Sequence, residues 1–341
     1  MKFYKKIIIS AVFLGMAFPF LTQAHAYVDT EIETIVQDIA PCDVVSTECL
    51  IKQELVRELV NRLYAVLLEK ATELSVTSET DRDFDFSIFQ GEQPLKEGRS
   101  TRFYVTSRGV IESYDDAHPV YKEILGLVDV LLTQEQKEIF ESIYFINDPE
   151  SEYSARVEQI VTSGGKAGER EDWEMYINLA KISLKNKYEY NRSLRVLVHE
   201  AGHVYITNQT QLDFFAAESR CKTFYITSLK SCAKDGSYLD VFTEFWSEAD
   251  MAWFTVFEEN YRNDSIQQNQ SLTDYYLKNE LSFVTRYSAT NPQEDIAETM
   301  AAFAMDKKPA NNDALYKEKI LSLYEFEEML DLRERTQKLI K

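Results

Sequence analysis

The stretch "RVLVHEAGHVYITN", residues 195–208, sets His199, Glu200 and His203 within five positions of one another. On a helix, residues four apart share a face one turn apart, so the two imidazoles can meet a single cation. A Zn²⁺ held at about 2.0–2.1 Å from each nitrogen suits that spacing. Glu200 lies on the same side but off the histidine line. It can reach a water on the ion without binding the ion itself, the place of a general base in H-E-x-x-H hydrolases. Leu194, Leu197, Val198, Ala201 and Tyr205 fall on the opposite side and can pack into a core.

A catalytic zinc takes three protein ligands and leaves a fourth position open for water. Position 209 is Gln, not the third histidine of a metzincin pattern, and His118 in "DDAHPVY" reads as a loop or surface residue. The third ligand is therefore expected to be a carboxylate downstream. In "RYSATNPQEDIAETMAAFAM", residues 286–305, Asn291 can cap a helix and Pro292 suits its first position. Glu294 and Glu298 then share a face, and Ala297 and Ala301 on that side allow another helix to come close. Two alternatives stay open on spacing alone. Asn291-x-x-Glu294 has the form of a capping box, in which the glutamate only satisfies a backbone N–H. Glu244 and Glu248 in "FTEFWSEADMAWF" have the same four-residue spacing.

"HEAGH" followed by "FVTRYSATNPQEDIAETMAAF" resembles the gluzincin-type metallopeptidases typified by anthrax lethal factor and the Pro-Pro endopeptidases. It is also similar to bacterial zinc-binding metallopeptidases that carry a Y-A-x-x-x-P-x-E-D-x-A-E segment. In lethal-factor-like enzymes a tyrosine lies seven residues before the ligand glutamate and a second glutamate four after it; Tyr287, Glu294 and Glu298 reproduce that spacing. The resemblance implies that Glu294 is the third metal ligand and that Glu298 supports a ligating histidine. It further implies that Tyr287 donates to the developing oxyanion, and that the strand around Trp173–Ser183 is an edge along which a peptide can be laid. It covers residues 140–305 and is carried by the two motifs; about ninety residues, with Cys221 and Cys232 among them, separate His203 from Glu294.

These residues need a scaffold. "YFIN" and "WEMYINLAKIS" read as strands, the second alternating Trp173, Met175, Ile177 and Leu179 with more polar neighbours. The chemistry-bearing helix follows, with Asn191 as a plausible cap, and the chain reads helical from there almost to its end. Upstream, residues 29–76, "PVYKEILGLVDVLL" and "TQEQKEIFESI" have helical spacing. "SETDRDFDFSIFQGEQPLKEGRS" reads as loop, and "SGGKAG" is a connection that does not match a phosphate-binding P-loop. The expected class is α+β: mostly helical, with a small sheet before the HExxH helix. The expected division is a signal peptide over 1–26, an N-terminal helical region over 27–139 and a zincin-like metallopeptidase domain over 140–341.

Lys2, Lys5 and Lys6, an apolar run from Ile7 to Leu21 and Ala24-His25-Ala26 form a secretory leader with cleavage expected after Ala26. A soluble mature chain, secreted or periplasmic, with no membrane attachment is expected. The formal charge is −20, and losing a leader with three lysines and no acid takes it to −23. Such a surface repels phosphate backbones and argues against nucleic acid as a partner. The four cysteines are expected to form two local disulfides, Cys42–Cys49 and Cys221–Cys232. The expected function is an exported endopeptidase with one Zn²⁺ per chain, acting on protein or peptide substrates. The alternatives are a zinc-containing binding or adhesion module without turnover and a zinc hydrolase of cell-wall material.

Overall fold

The computed structural model describes residues 84–90, 94–106, 108–111, 117–160, 173–261 and 265–341. The chain divides into two compact units, Met1–Glu79 and Thr80–Lys341, and all described residues lie in the second. The leader, the Cys42–Cys49 pair, the helical pattern over 29–76 and "SGGKAG" fall outside the described residues. Among the described residues no helix is long and apolar enough to cross a membrane.

The fold is α+β. A sheet is built from β1 (Ser100–Tyr104), β2 (Phe140–Ile146), β3 (Ala155–Gln159) and β4 (Trp173–Asn178), in the order β1-β2-β4-β3. β2 and β4 run parallel, and the two outer strands pair antiparallel to them. Side chains alternate across the sheet, and the register sets Phe103, Ile143, Met175 and Val157 in one row. Phe145, Ile177 and Ala155 form the row beside it on the same, core-facing side. The opposite side carries a row of planar groups. Tyr144 and Tyr176 stack at 4.9 Å between ring centroids, with Arg102 and Arg156 over their outer faces, and Glu174 accepts both hydroxyls.

Helices close the core. α1 (Pro119–Leu131) starts on Pro119 behind His118, whose ring accepts from the Val120 N–H; that capping contact is the structural role of His118. α1 sets Tyr121 on Phe103 and Phe145. The short α2 (Gln134–Glu138) opens with a complete capping box between Thr133 and Gln136. The chain then enters β2 at Phe140, where helical spacing predicted a continued helix. Pairing with two neighbouring strands outweighs the local pattern there. α3 (Lys187–Thr207) carries the HExxH residues and is capped by Asn186, five residues before the expected Asn191. Its far end is closed by the Asn208 side chain, which donates to the carbonyls of Val204 and Tyr205.

Two features of the architecture were not among the expectations. β1 and α1 belong to the same core as the HExxH helix, because β1 pairs with β2 and α1 packs on α3. The compact unit that holds them runs from Thr80 to Lys341. The segment after α3 is not continuously helical. β5 (Leu212–Phe214), β6 (Tyr225–Ile226) and β7 (Ser231–Ala233) form a second small sheet in the order β5-β7-β6. The Cys221–Cys232 disulfide, as expected from spacing, closes this element. The chain continues through α4 (Tyr238–Thr243), α5 (Glu248–Tyr261), α6 (Ser265–Lys278), α7 (Pro292–Met305), α8 (Leu315–Ser322) and α9 (Glu327–Gln337).

The approach to β3 is pinned by Asn178 at the end of β4. Its side-chain oxygen accepts from the Asp148 and Ala180 N–H groups, and its amide donates to the carbonyls of Asp148 and Tyr153. All four of its hydrogen-bonding positions are filled, and the residue is buried. Asn178→Ala is expected to cost about 1–3 kcal/mol in urea unfolding, since it removes four hydrogen bonds to the backbone of Asp148, Tyr153 and Ala180 at once.

Candidate metal centre

α3 buries Leu194, Leu197, Val198, Ala201 and Tyr205 in the core, the stripe expected from its spacing. Its opposite side meets α7. Both helices are small where they cross: a Cβ added at Gly202 would stand 3.3 Å from the Ala297 Cα and 3.5 Å from its Cβ. Ala297 and Ala301 are fully buried at this contact. Helices this close let short side chains on one reach side chains on the other.

Three atoms converge as a result. His199 Nε2 and His203 Nε2 lie 3.1 Å apart, and Glu294 Oε2 lies 3.1 Å from the first and 3.2 Å from the second. Three ligands on a tetrahedral cation at about 2.0–2.1 Å stand roughly 3.3–3.4 Å from one another, close to this triangle. Glu294 Oε2 is buried and has no hydrogen-bond partner, which in a protein interior calls for a cation or a proton. His199, His203 and Glu294 are the only group among the described residues with ligand atoms arranged for a metal ion. The residues fit a metal.

The other readings of these positions resolve on geometry. Asn291 caps α7 by accepting from the Glu294 N–H at 2.9 Å, but the Glu294 carboxylate turns to the histidines instead of back to Asn291. The capping box is half used, and the carboxylate is free for the centre. Glu244 and Glu248 are exposed and outside the triad. Glu298 stands one turn beyond Glu294, with Oε1 2.8 Å from His199 Nδ1; the contact is short but not aligned as a hydrogen bond. Thr285 donates to its other oxygen at 3.0 Å. A carboxylate behind a ligating imidazole fixes the ring's orientation and raises its basicity.

Glu200 is buried beside the triad, and burial raises its carboxyl above the usual range while the two histidines pull it down. The Val157 main chain hydrogen-bonds to it. The sheet explains how. The Ser154 carbonyl accepts from the Asn178 N–H, so alternation aims the Arg156 and Glu158 main-chain groups at β4. Those of Ala155, Val157 and Gln159 face the outer edge of the sheet. This corrects the edge expected at Trp173–Ser183: β4 is interior, between β2 and β3, and β3 is the edge strand beside α3. Neither Val157 nor Thr285 was foreseen. A backbone N–H has no signature in side-chain type, and Thr285 stood unremarked inside the quoted downstream motif.

Tyr287 begins a short 3-10 turn, Tyr287–Ala289, that packs on α7. Its ring is half exposed, 5.7 Å from the His199 ring, and its hydroxyl reaches Glu294. Burial of that hydroxyl and the charges of Glu294 and Glu200 push its pKa up, so it stays a proton donor.

The cluster holds a proton strongly. Burial pulls the His199 imidazolium down, but contacts with Glu294 and Glu298 and the charge of Glu200 outweigh this and raise it to about 10. The same pairing lowers Glu298, against the upward pull of burial, and takes Glu294 well below the carboxylate range. In metal-free protein the raised His199 stabilises the fold fully below the unfolded histidine pKa of about 6.5. That contribution is lost as pH rises through about 10. A metal must displace this proton, so uptake at pH 7 is expected to release about one proton per ion. Affinity should climb towards alkaline pH. Calorimetry in buffers of different ionisation enthalpy measures the release; pH-independent uptake would contradict this arrangement.

No known protein family, no curated protein and no solved structure matches this chain.

Proposed function

We propose that the chain is an exported zinc-dependent endopeptidase. The observation that carries this reading is the meeting of a His199–His203–Glu294 ligand set with a buried Glu200 held by the edge strand next to it. Two imidazoles and one carboxylate make a zinc donor set that leaves a fourth position open. Once bound, the ion would acidify a water and polarise the scissile carbonyl. Glu200 would take a proton from the attacking water and pass it to the departing amine; its raised pKa brings it nearer the working pH. The Tyr287 hydroxyl donates to the carbonyl oxygen as negative charge develops there. The outer edge of β3, among the described residues, directs the main-chain groups of Ala155 and Gln159 and the Val157 carbonyl to where an extended peptide could join as a further strand. The leader pattern of residues 1–26 and the Cys221–Cys232 disulfide support export to an oxidising compartment, secreted or periplasmic.

Purified protein is expected to hold about one zinc per chain and to cleave casein or a peptide library until a chelator is added. Glu200→Gln should keep the zinc and lose about 10²–10⁴-fold in kcat/KM. Tyr287→Phe should keep it and lose about 10²–10³-fold. Glu294→Ala should lose zinc and cleavage together. Full zinc retention in Glu294→Ala, measured by mass spectrometry, or zinc-loaded protein that cleaves no peptide would contradict the reading.

A further inference from the structure

One residue past Glu294, the side chain of Asp295 is fully buried and meets Lys319 of α8, itself 1% exposed, at 2.6 Å. The same carboxylate oxygen accepts from Trp246 Nε1 at 2.8 Å. The Lys319 ammonium also donates to the Ser282 carbonyl at 2.8 Å and lies 4.6 Å from the centre of the Phe283 ring. Burial pushes the Asp295 carboxyl up to about 6 against the pull of Lys319, and its second oxygen has no hydrogen-bond partner. A buried ion pair of this kind adds little stability over apolar residues of the same volume. What it adds is direction: each charge accepts only a few positions for its partners.

The partners are what give this pair its meaning. Asp295 belongs to the first turn of α7, which presents Glu294. Ser282 and Phe283 lead into Thr285, which holds Glu298, and into the turn that carries Tyr287. Trp246 comes from the junction of α4 and α5, in the long segment between His203 and Glu294. One ammonium and one carboxylate thus tie together the segments that present Glu294, Glu298 and Tyr287. The geometry points to Asp295 and Lys319 as positioning residues of the metal centre, fixing Glu294 and the Tyr287 turn in mutual register without reaching the ion. This rests on the metal-centre reading above.

The test is the double variant Asp295→Asn/Lys319→Met, which keeps an acceptor for Trp246 and similar volumes while removing both charges. Its metal-free unfolding temperature is expected within a few degrees of the parent, whereas its zinc affinity, by chelator competition, falls about 10–100-fold. Leu332→Ala is the comparison. Leu332 is buried on α9, which packs against α7, so this variant should lower the unfolding temperature and leave zinc affinity unchanged while folded. Parental affinity in the folded double variant, or an equal loss in Leu332→Ala, overturns the proposal. Should the double variant not fold, Trp246→Phe removes one hydrogen bond to Asp295. It is expected to weaken zinc about threefold or more, and unchanged affinity there overturns the proposal. If the parent protein takes up no zinc, the metal-centre reading falls, and a crystal structure of the metal-free double variant decides the positioning role. Glu294 is then expected to leave the two histidines, and unchanged contacts overturn the proposal.

Discussion

The centre depends on how closely two helices cross. At Gly202 there is no Cβ, and Ala297 opposite has nothing beyond one, so the helices carrying them meet backbone to backbone. Each helix alone brings only its own i, i+4 pair: His199 with His203, Glu294 with Glu298. Their crossing turns two pairs into one constellation, with Glu294 about 3 Å from both imidazoles and Glu298 behind one of them. A bulky residue at position 202 or 297 would leave every side chain in the sequence and still separate them by more than a metal–ligand bond tolerates.

Such an arrangement is costly for the chain to bury. His199, Glu200, Glu294 and Glu298 share a small, mostly buried space, and burial disfavours the charged form of every one of them. Pairing offsets that cost unevenly. Glu294 and Glu298 are drawn below their usual range by the histidines, whereas Glu200 is pushed above it with only partial relief. Neighbouring carboxylates thereby become different reagents: Glu294 is anionic and suited to a cation, Glu200 suited to exchanging a proton. The Val157 backbone tempers the difference, because its hydrogen bond favours the Glu200 anion, but burial still leaves Glu200 above its usual range.

Much of this was legible in the residues. The α+β class follows from strands giving way to helices, and the H-E-x-x-H spacing with its opposing apolar stripe located the central helix. Its first turns were missed because Lys187 and Tyr188 face outward, so the apolar pattern starts late and suggested Asn191 in place of Asn186 as the cap. β1 and β3 escaped notice because "STRFY" and "ARVEQ" are short and mix charges with apolar residues; neighbouring strands, not intrinsic preference, make them strands. The small disulfide-closed sheet has strands of two or three residues, too short for any periodicity. Glu294 and Glu244 looked alike on spacing because what separates them is non-local. One helix crosses the histidine helix, and the other leaves its glutamate in solvent.

The central claim is that His199, His203 and Glu294 together bind one metal ion. Anomalous diffraction at the zinc edge from zinc-loaded crystals tests this most directly. The account predicts a single strong peak about 2.0–2.2 Å from His199 Nε2, His203 Nε2 and a Glu294 oxygen, with a solvent-derived fourth ligand. A peak coordinated without Glu294, or no peak in this cleft at saturating zinc, would contradict it.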